Sequence, residues 1–538
     1  MNGKCVLPML AAFVISVSLP GCDARDWFAQ KDANSQTEGE SVPQFEVAAV
    51  KELVVTWQND WNIPDREDEA QETLDALLNA VDASYAMYAR AELAYYADWE
   101  NTERFSEKNQ AYENYRTVEE MASWAIENSS KKSEYPDVFS PYTDPDNTNY
   151  YLYNTLNKVV TNAKTDAAES TDLLNTYYDK AFDKDLDPDK TNQACAKLYL
   201  RTLEEYDTEQ YLYDLYARDY TVEQASGLYQ AVKEQLVPLY QEMYDWLTDD
   251  NNSNRESSSA RKVDAYALLK EYAPQLSAPI AESAEKLFAE DLYVAAKGAH
   301  CYDGSYTVLL PNENNALMYT YLSGDFYDLV TVSHEFGHFH SDWRDSTPIF
   351  MQENCMDLAE VQSQCMEMLF TSFYDEIFEE DADYLELTEI YNILDSVISG
   401  LAIGEFEYEV MQQLDTITPD AVLALYRQIA DECGLTVQLY QITHLFEQPG
   451  YYISYGISAL PALDYYTILQ EDEQKARALY DQISSLSSVS GEYRFCSAMQ
   501  ACGMRDYFAA HALDEIVSKL EERFAALSRG EAAEQDAA

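Results

Sequence analysis

Glycine and proline are scarce in this sequence, with 16 of each among 538 residues. Tight turns depend on these two residue types, so their scarcity argues against an all-β fold. Basic residues are also few: 35 Lys and Arg stand against 97 Asp and Glu, which gives a net charge of -62. A surface this acidic repels phosphate groups, and we therefore exclude nucleic acid as a main partner. Solubility in an external medium and attraction of cationic peptides both remain open as explanations of the charge.

Paired-cysteine motifs and long apolar runs are absent as well. The nine cysteines form no CxxC, so neither a zinc–cysteine cluster nor a thioredoxin-like site is supported. Seven of them follow Cys22, an odd number that cannot all pair internally, although Cys496 and Cys502 could form a bridge. Beyond the N-terminus, no segment reaches the about 18 apolar residues that a membrane-spanning helix needs.

The N-terminus has the pattern of a secretory signal. Lys4 precedes an apolar run that ends in LPGC, and this ending resembles a bacterial lipobox, whose cysteine is lipidated. We expect a signal peptide at 1–21, a lipidated Cys22 that anchors the chain without spanning the membrane, and a polar tether at 22–45. The alternative is an ordinary signal peptide. The pattern predicts an extracytoplasmic membrane lipoprotein, and the Tyr-rich, acidic composition suggests a Gram-positive bacterium.

Most of the remaining chain has the three- and four-residue periodicity of amphipathic helices. The helical pattern is interrupted clearly at 301–325, where YTVLL and ALMYTYL lie among Gly, Pro and Asn residues. These two runs predict a small sheet within a mainly α fold. The predicted regions are an N-terminal helical region at 46–250, a catalytic region at 251–528 and a disordered polar tail at 529–538.

Three of the six histidines lie in the segment SHEFGHFHS, directly after the predicted sheet. In a helix, His334 and His338 lie on one face, one turn apart, so both imidazoles can bind the same metal ion. Glu335, beside the first histidine, can reach a water at that ion as a general base. His340 is turned away from this face, and we expect no metal role for it. The alternative is a helix whose polar residues are simply exposed to solvent and bind no metal.

A zinc site needs a third protein ligand and an open position. The next predicted helix, ENCMDLAEVQSQCMEMLF, offers four acidic candidates: Glu353, Asp357, Glu360 and Glu367. A carboxylate buried there is costly unless it is paired or metal-bound. The pattern alone does not select among the four.

At these residues the sequence resembles the thimet oligopeptidase and oligoendopeptidase F family of zinc metallopeptidases, and its oligoendopeptidase branch in particular. HEFGH matches the family motif, and AEVQSQ places Glu360 in the E-x-x-S context, with 21 residues between His338 and Glu360. The resemblance implies one Zn²⁺ per chain, bound by His334, His338 and Glu360, with Glu335 as the base. It also implies a zincin-type active-site helix beside the sheet, and two helical halves around a deep substrate channel.

A second match to the family lies in ITHLFEQPGYYISYGIS. The resemblance implies that His444, Tyr451, Tyr452 and Tyr455 supply donors to the oxyanion of the tetrahedral intermediate. It further implies that ALMYTYL is an edge strand that pairs with the extended peptide substrate.

The resemblance therefore implies a secreted, lipid-anchored zinc metalloendopeptidase that hydrolyses short unfolded oligopeptides. One alternative is a carboxypeptidase or dipeptidase on the same scaffold, because endo and exo action differ in what blocks the ends of the cleft. The other is a non-catalytic peptide-binding lipoprotein. Glu335 argues against the latter, since a purely structural metal site has no need of a base.

Overall fold

The computed structural model describes residues 47–60, 67–131, 186–204, 216–249 and 261–529, with isolated positions between 173 and 213 and at 259. The predicted signal peptide, Cys22 and the predicted tether lie outside the described residues. So does the predicted tail, except for Arg529, which is the last residue of a helix.

Helices make up most of the described chain, which confirms the predicted mainly α fold. Before the sheet they are α1 (Val47–Asp60), α2 (Glu67–Tyr96), α3 (Thr102–Lys131), α4 (Pro188–Leu203), α5 (Val222–Leu247), α6 (Ala265–Tyr272) and α7 (Ala278–Ala289). After the sheet they are α8 (Phe326–Asp342), α9 (Met356–Phe370), α10 (Tyr374–Phe378), α11 (Ala382–Gln412), α12 (Pro419–Cys433), α13 (His444–Glu447), α14 (Ile453–Glu471), α15 (Glu473–Ile483), α16 (Phe495–Ala501) and α17 (Asp514–Arg529). None of the described helices is both long and apolar enough to span a bilayer.

The sheet has three strands: β1 (Tyr293–Ala296), β2 (Tyr306–Leu310) and β3 (Asn315–Tyr321). Their order is β1–β3–β2, with β1 parallel and β2 antiparallel to β3. Two findings differ from the sequence analysis. The four-residue strand β1 was not predicted, and β3, which contains all of ALMYTYL except its last residue, is the central strand. The prediction that it forms an edge is therefore wrong, because both of its sides are paired with other strands.

A short link connects the central strand to α8. Asp325 caps the helix by accepting a hydrogen bond from the Tyr327 N–H, as acidic N-caps commonly do. Asp328, in the first turn, accepts bonds from the backbone N–H groups of Ser323 and Gly324 at 2.7 Å each. Gly324 has a φ of +97°, a conformation that favours glycine. The direction in which α8 leaves the sheet is therefore set by local hydrogen bonds.

The first three helices have a hydrophobic core of their own, which includes Trp57, Leu77 and Tyr115. Phe350, from the link between α8 and α9, is buried in this core. Beside it, the backbone N–H of Ile349 donates to Asp82 at 2.9 Å. The α1–α3 core thus packs against the segment that joins the two helices of the candidate metal site.

Helices α11 and α14 cross at very close range. A Cβ atom at Gly400 would lie 2.2 Å from the backbone nitrogen of Gly456, and one at Gly404 would lie 2.8 Å from Ile453. Only hydrogen atoms fit at these positions, so the two helices approach backbone to backbone. This contact places the N-terminal end of α14, directly after Tyr451 and Tyr452, against the middle of α11.

Candidate metal and catalytic site

His334 and His338 lie on the inward face of α8, one turn apart, with ring centroids separated by 4.9 Å. Only 3% and 6% of their surfaces are exposed. Burial lowers the pKa of His338 to about 4, so its imidazole is neutral at pH 7. A neutral imidazole is the form that binds a metal ion.

Glu360 faces both histidines from α9. Its Oε2 lies 3.4 Å from His334 Nε2 and 3.7 Å from His338 Nε2, and its side chain is fully buried. The approach of α9 to α8 depends on Gly337, the glycine of HEFGH. A Cβ atom there would lie 2.7 Å from the Cα of Ser363 and 3.0 Å from the carbonyl oxygen of Gln362.

The donor set of these three residues fits a zinc ion. One ligand atom from each of His334, His338 and Glu360 lies within 4.8 Å of the other two. Among the described residues, neither Nε2 of His338 nor Oε1 of Glu360 has a hydrogen-bond partner. Buried polar atoms are normally paired, so their convergence here is explained by a cation that they would bind together. Two imidazole nitrogens and one carboxylate oxygen are typical of catalytic zinc, which keeps a fourth position open.

Glu367, on the same face of α9, contacts His334 from the other side. Its Oε1 lies 2.5 Å from His334 Nδ1. With a metal ion bound, a hydrogen on Nδ1 would point at Glu367 and the Nε2 lone pair would be directed at the ion. Glu367 was one of the four acidic candidates from the sequence, and the structure places it against His334 Nδ1.

Glu335 is fully buried next to the histidines and is held by strand β2. The Thr307 hydroxyl donates to Glu335 Oε2 at 2.8 Å and to the Glu335 carbonyl oxygen at 3.1 Å. Oε1 has no hydrogen-bond partner in the part of the chain that the structure describes. Burial raises the pKa of Glu335 to about 7, against the opposing effects of His334 and Thr307. Thr307 was missed by the sequence analysis, because no motif connects it to α8.

The structure separates the remaining acidic candidates from the histidines. Glu353 pairs with Arg494. Asp357 accepts a hydrogen bond from the hydroxyl of Tyr220 at 2.9 Å. Of the four acids, only Glu360 and Glu367 are within contact distance of a site histidine.

His340 lies away from this cluster. Its Nδ1 is 2.7 Å from the hydroxyl of Ser283, and its Nε2 is 3.1 Å from that of Ser484. Its ring stacks on Tyr480 with centroids 5.8 Å apart. Both nitrogens are thus used in packing α8 against its neighbours.

The histidine and tyrosines of the second match form one aromatic cluster. His444 stacks on Tyr451 at 4.9 Å, and it meets Tyr452 and Tyr455 edge to face at 5.9 and 5.8 Å. The pKa of Tyr451 is raised by burial and then by the charge of Glu360. The pKa of Tyr455 is raised by burial, then by Tyr451 and then by Glu360. For Tyr452, the charge that adds to burial is that of Asp395. Tyr451 and Tyr455 are therefore the members of the cluster that lie towards the metal ligands.

The cysteines contribute no site. All seven cysteines after Cys22 are free thiols, so Cys496 and Cys502 do not form a bridge in this structure. Six of the seven are buried. They act as small apolar side chains in the packing.

No protein-family model and no curated protein matches the sequence. Solved structures do resemble the chain. A protein from Bacillus anthracis str. Ames assigned as an oligoendopeptidase F is 16% identical, with a TM-score of 0.67 over 92% of this chain and 99% of its own. PZ peptidase A, solved with an inhibitor, is 14% identical, with a TM-score of 0.66; the match covers 94% of this chain and 100% of PZ peptidase A. Trypanosoma cruzi metallocarboxypeptidase 1 is 13% identical, with a TM-score of 0.51; the match covers 85% of this chain and 98% of the carboxypeptidase. The chain therefore has the fold of the oligoendopeptidase F structures.

Proposed function

We propose that the chain is a zinc metallopeptidase that cleaves short unfolded oligopeptides. The observation that carries the proposal is the convergence of His334, His338 and Glu360 beside a fully buried Glu335. The fold shared with oligoendopeptidase structures along nearly the whole chain supports it.

His334, His338 and Glu360 would hold the zinc ion, which would serve as a Lewis acid that polarises a carbonyl and lowers the pKa of a water. Glu335 takes the proton of the attacking water, and it later returns a proton to the leaving amine. A carboxyl group whose pKa is near 7 suits both transfers. The bond from Thr307 to Oε2 leaves Oε1 as the oxygen that exchanges the proton.

His444, Tyr451 and Tyr455 supply the donors to the oxyanion. Burial lowers the pKa of His444 to about 4 and raises those of the two tyrosines, so all three are neutral at pH 7. Neutral N–H and O–H groups stabilise the negative charge that develops on the carbonyl oxygen. Tyr452, on the side of Asp395, completes the packing of the cluster.

We assign peptide pairing to β2 in place of β3. Strand β2 lies at an edge of the sheet, and its Thr307 is bonded to the proposed base. We propose that an extended peptide adds along this edge beside Glu335, with its backbone fixed by strand hydrogen bonds. The deep channel implied by the family resemblance would limit substrates to unfolded chains.

Metal analysis combined with peptide cleavage tests the proposal. We expect about one zinc ion per purified chain. Removal by a chelator should abolish cleavage of an internally quenched peptide, and added zinc should restore it. A wild-type chain that binds no zinc contradicts the proposal. Because one structural relative is a carboxypeptidase, mass spectrometry of the products should distinguish internal cleavage from release of single C-terminal residues.

We also propose that Cys22 is lipidated and anchors the enzyme outside the cell. The support is the LPGC sequence after the apolar N-terminal run. In a Gram-positive host fed a tagged fatty acid, the wild-type chain should be labelled and the Cys22→Ala variant should not. Equal labelling of both, or of neither, contradicts this part of the proposal.

A further inference from the structure

The turn that precedes α14 is held by side chains from a distant part of the chain. Pro449 and Gly450 form this turn directly before Tyr451, and Gly450 has a φ of +81°. The Tyr216 hydroxyl donates to the carbonyl oxygen of Pro449 at 3.1 Å. Its ring also meets that of Tyr451 edge to face at 6.0 Å. Tyr216 therefore contacts both the turn and one of the proposed oxyanion donors.

Arg218 makes two further bonds on either side of Tyr451. One guanidinium nitrogen, Nη2, donates to the carbonyl oxygen of Gly450 at 2.7 Å and to the hydroxyl of Ser454 at 2.8 Å. Gly450 and Ser454 lie on either side of Tyr451 in the sequence, so Arg218 holds the chain both before and after this tyrosine. The Arg218 side chain is 0% exposed, so neither bond competes with water.

The same arginine extends to the helix that carries Glu360. Its Nε lies 3.8 Å from Oδ2 of Asp357, one helical turn before Glu360 on α9. The Tyr220 hydroxyl donates to the same Asp357 oxygen at 2.9 Å. Residues 216–220 are therefore bonded both to the metal-ligand helix and to the turn of the tyrosines.

Aromatic rings hold the guanidinium in this position. It lies over Tyr216 at 4.6 Å and over Tyr213 at 5.3 Å from the ring centroids. A planar guanidinium can stack its face on aromatic rings while the N–H groups at its edge donate, whereas the ammonium of a lysine has no flat face to stack. On the opposite side of the turn, Glu407 accepts the Gly450 N–H at 2.7 Å.

From these contacts we infer that Arg218, together with Tyr216, is a positioning residue for the oxyanion donors. It touches neither the ligands nor Glu335 in the contacts described above. It fixes the distance between Tyr451 and Glu360 by joining their two elements. This inference rests on the proposed function, because it gives Tyr451 and Tyr455 a purpose only in a peptidase.

The test compares Arg218→Lys with Arg523→Lys. Arg523 makes a similar, largely buried pair, with Glu386 and Tyr466, and is the matched control for lost stability. In Arg218→Lys we expect kcat to fall roughly 10- to 100-fold, with KM changed by less than about threefold. Affinity for a phosphinic peptide, which resembles the tetrahedral intermediate, should fall in proportion to kcat. Zinc content should be unchanged, and Arg523→Lys should retain kcat within about twofold.

Hydrogen exchange measured by mass spectrometry gives a readout that needs no activity. Amides of residues 449–455 should exchange faster in Arg218→Lys than in wild type, and not in Arg523→Lys. Tyr216→Phe removes one hydroxyl and leaves both rings, so it should fold even if Arg218→Lys does not. We expect a smaller fall in kcat for it, about three- to tenfold, with the same local rise in exchange.

Unchanged kcat and unchanged exchange at 449–455 in the folded variants would overturn the inference. A wild-type chain without peptidase activity would instead overturn the proposed function. In that case the exchange data still decide whether Arg218 holds the turn. The two failures are therefore distinguishable.

Discussion

Glu335 has one carboxylate oxygen bonded to Thr307 and one without a partner among the described residues. Burial disfavours its charged form, and the Thr307 hydroxyl partly offsets this, so that the pKa is raised to about 7. The same hydroxyl fixes the rotation of the carboxylate. One small side chain on the sheet thus affects both the charge and the orientation of the proposed base.

Thr307→Val should impair proton transfer without removing the base. Loss of the hydroxyl removes a bond to the charged carboxylate, so the Glu335 pKa should rise further. We expect kcat/KM to fall by about tenfold, and the acidic limb of its pH profile to move to higher pH.

The control for Thr307→Val is Thr320→Val. Thr320 is a buried threonine on β3, and its hydroxyl lies 2.9 Å from that of Tyr266. It should leave the pH profile in place. A Thr307→Val profile that coincides with wild type would show that Thr307 does not tune the base.

At the residue scale, the sequence could predict relations within one helix but not contacts between elements. The positions of His334 and His338 follow from the helical repeat. The partners of these residues come from other elements, and no spacing rule connects Thr307 or Arg218 to α8. Glu360 was selected through the family resemblance, since the pattern of α9 left four acids open. The structure places Glu360 against both histidines.

At the scale of elements, the site depends on how closely α8 and α9 pack. Gly337 lies where the two helices touch, and a methyl group there would meet the backbone of α9 at Ser363 and Gln362. Backbone atoms cannot rotate away as a side chain does. An added methyl must therefore push α9, and Glu360 with it, away from the histidines.

Gly337→Ala should weaken zinc binding. Alanine favours a helix by about 1 kcal/mol over glycine, but overpacking costs about 1–3 kcal/mol. We expect a lower thermal midpoint, and zinc affinity reduced at least about tenfold, measured by competition with a chelating dye.

Gly227→Ala is the matched control, because Gly227 lies within α5 and a Cβ atom there meets nothing within 4 Å. It should raise the thermal midpoint slightly and leave zinc affinity unchanged. If Gly337→Ala behaves like this control, close packing of α8 and α9 is not required for the site.

The elements themselves were easier to predict than their arrangement. The segment SHEFGHFHS was interpreted as part of a helix, and α8 contains all of it. The order of the strands was not predictable, since sequence order does not give lateral order in a sheet. Strand β1 was missed because four residues, YVAA, are too short for a recognisable alternation.

At the scale of the whole molecule, buried carboxyl groups make stability depend on pH. Glu407 is 3% exposed, and burial raises its pKa from 4.5 to about 7. Between these values the folded chain binds its proton more tightly than the unfolded chain does. The contribution of this group to stability is therefore greatest at low pH and is lost as pH rises through 7. The net charge of -62 acts in the same direction, because repulsion falls as carboxylates are protonated.

We predict a higher thermal midpoint at pH 6 than at pH 8. Glu407→Gln should reduce the difference, because the amide can accept the Gly450 N–H without a charge. The control is Glu409→Gln, at a partly exposed residue two positions further along α11. It removes one carboxyl group, as Glu407→Gln does, but should leave the difference in thermal midpoint between pH 6 and pH 8 as in wild type. Scans in which the two variants show equal pH dependence would exclude Glu407 as the source.

The central claim is that Glu335 acts as the base beside a zinc ion bound by His334, His338 and Glu360. The most direct measurement is zinc content and peptide cleavage on the same preparation of Glu335→Gln. We predict that the variant retains about one zinc ion per chain and loses cleavage by about 10³-fold. Full cleavage with zinc retained would contradict the account.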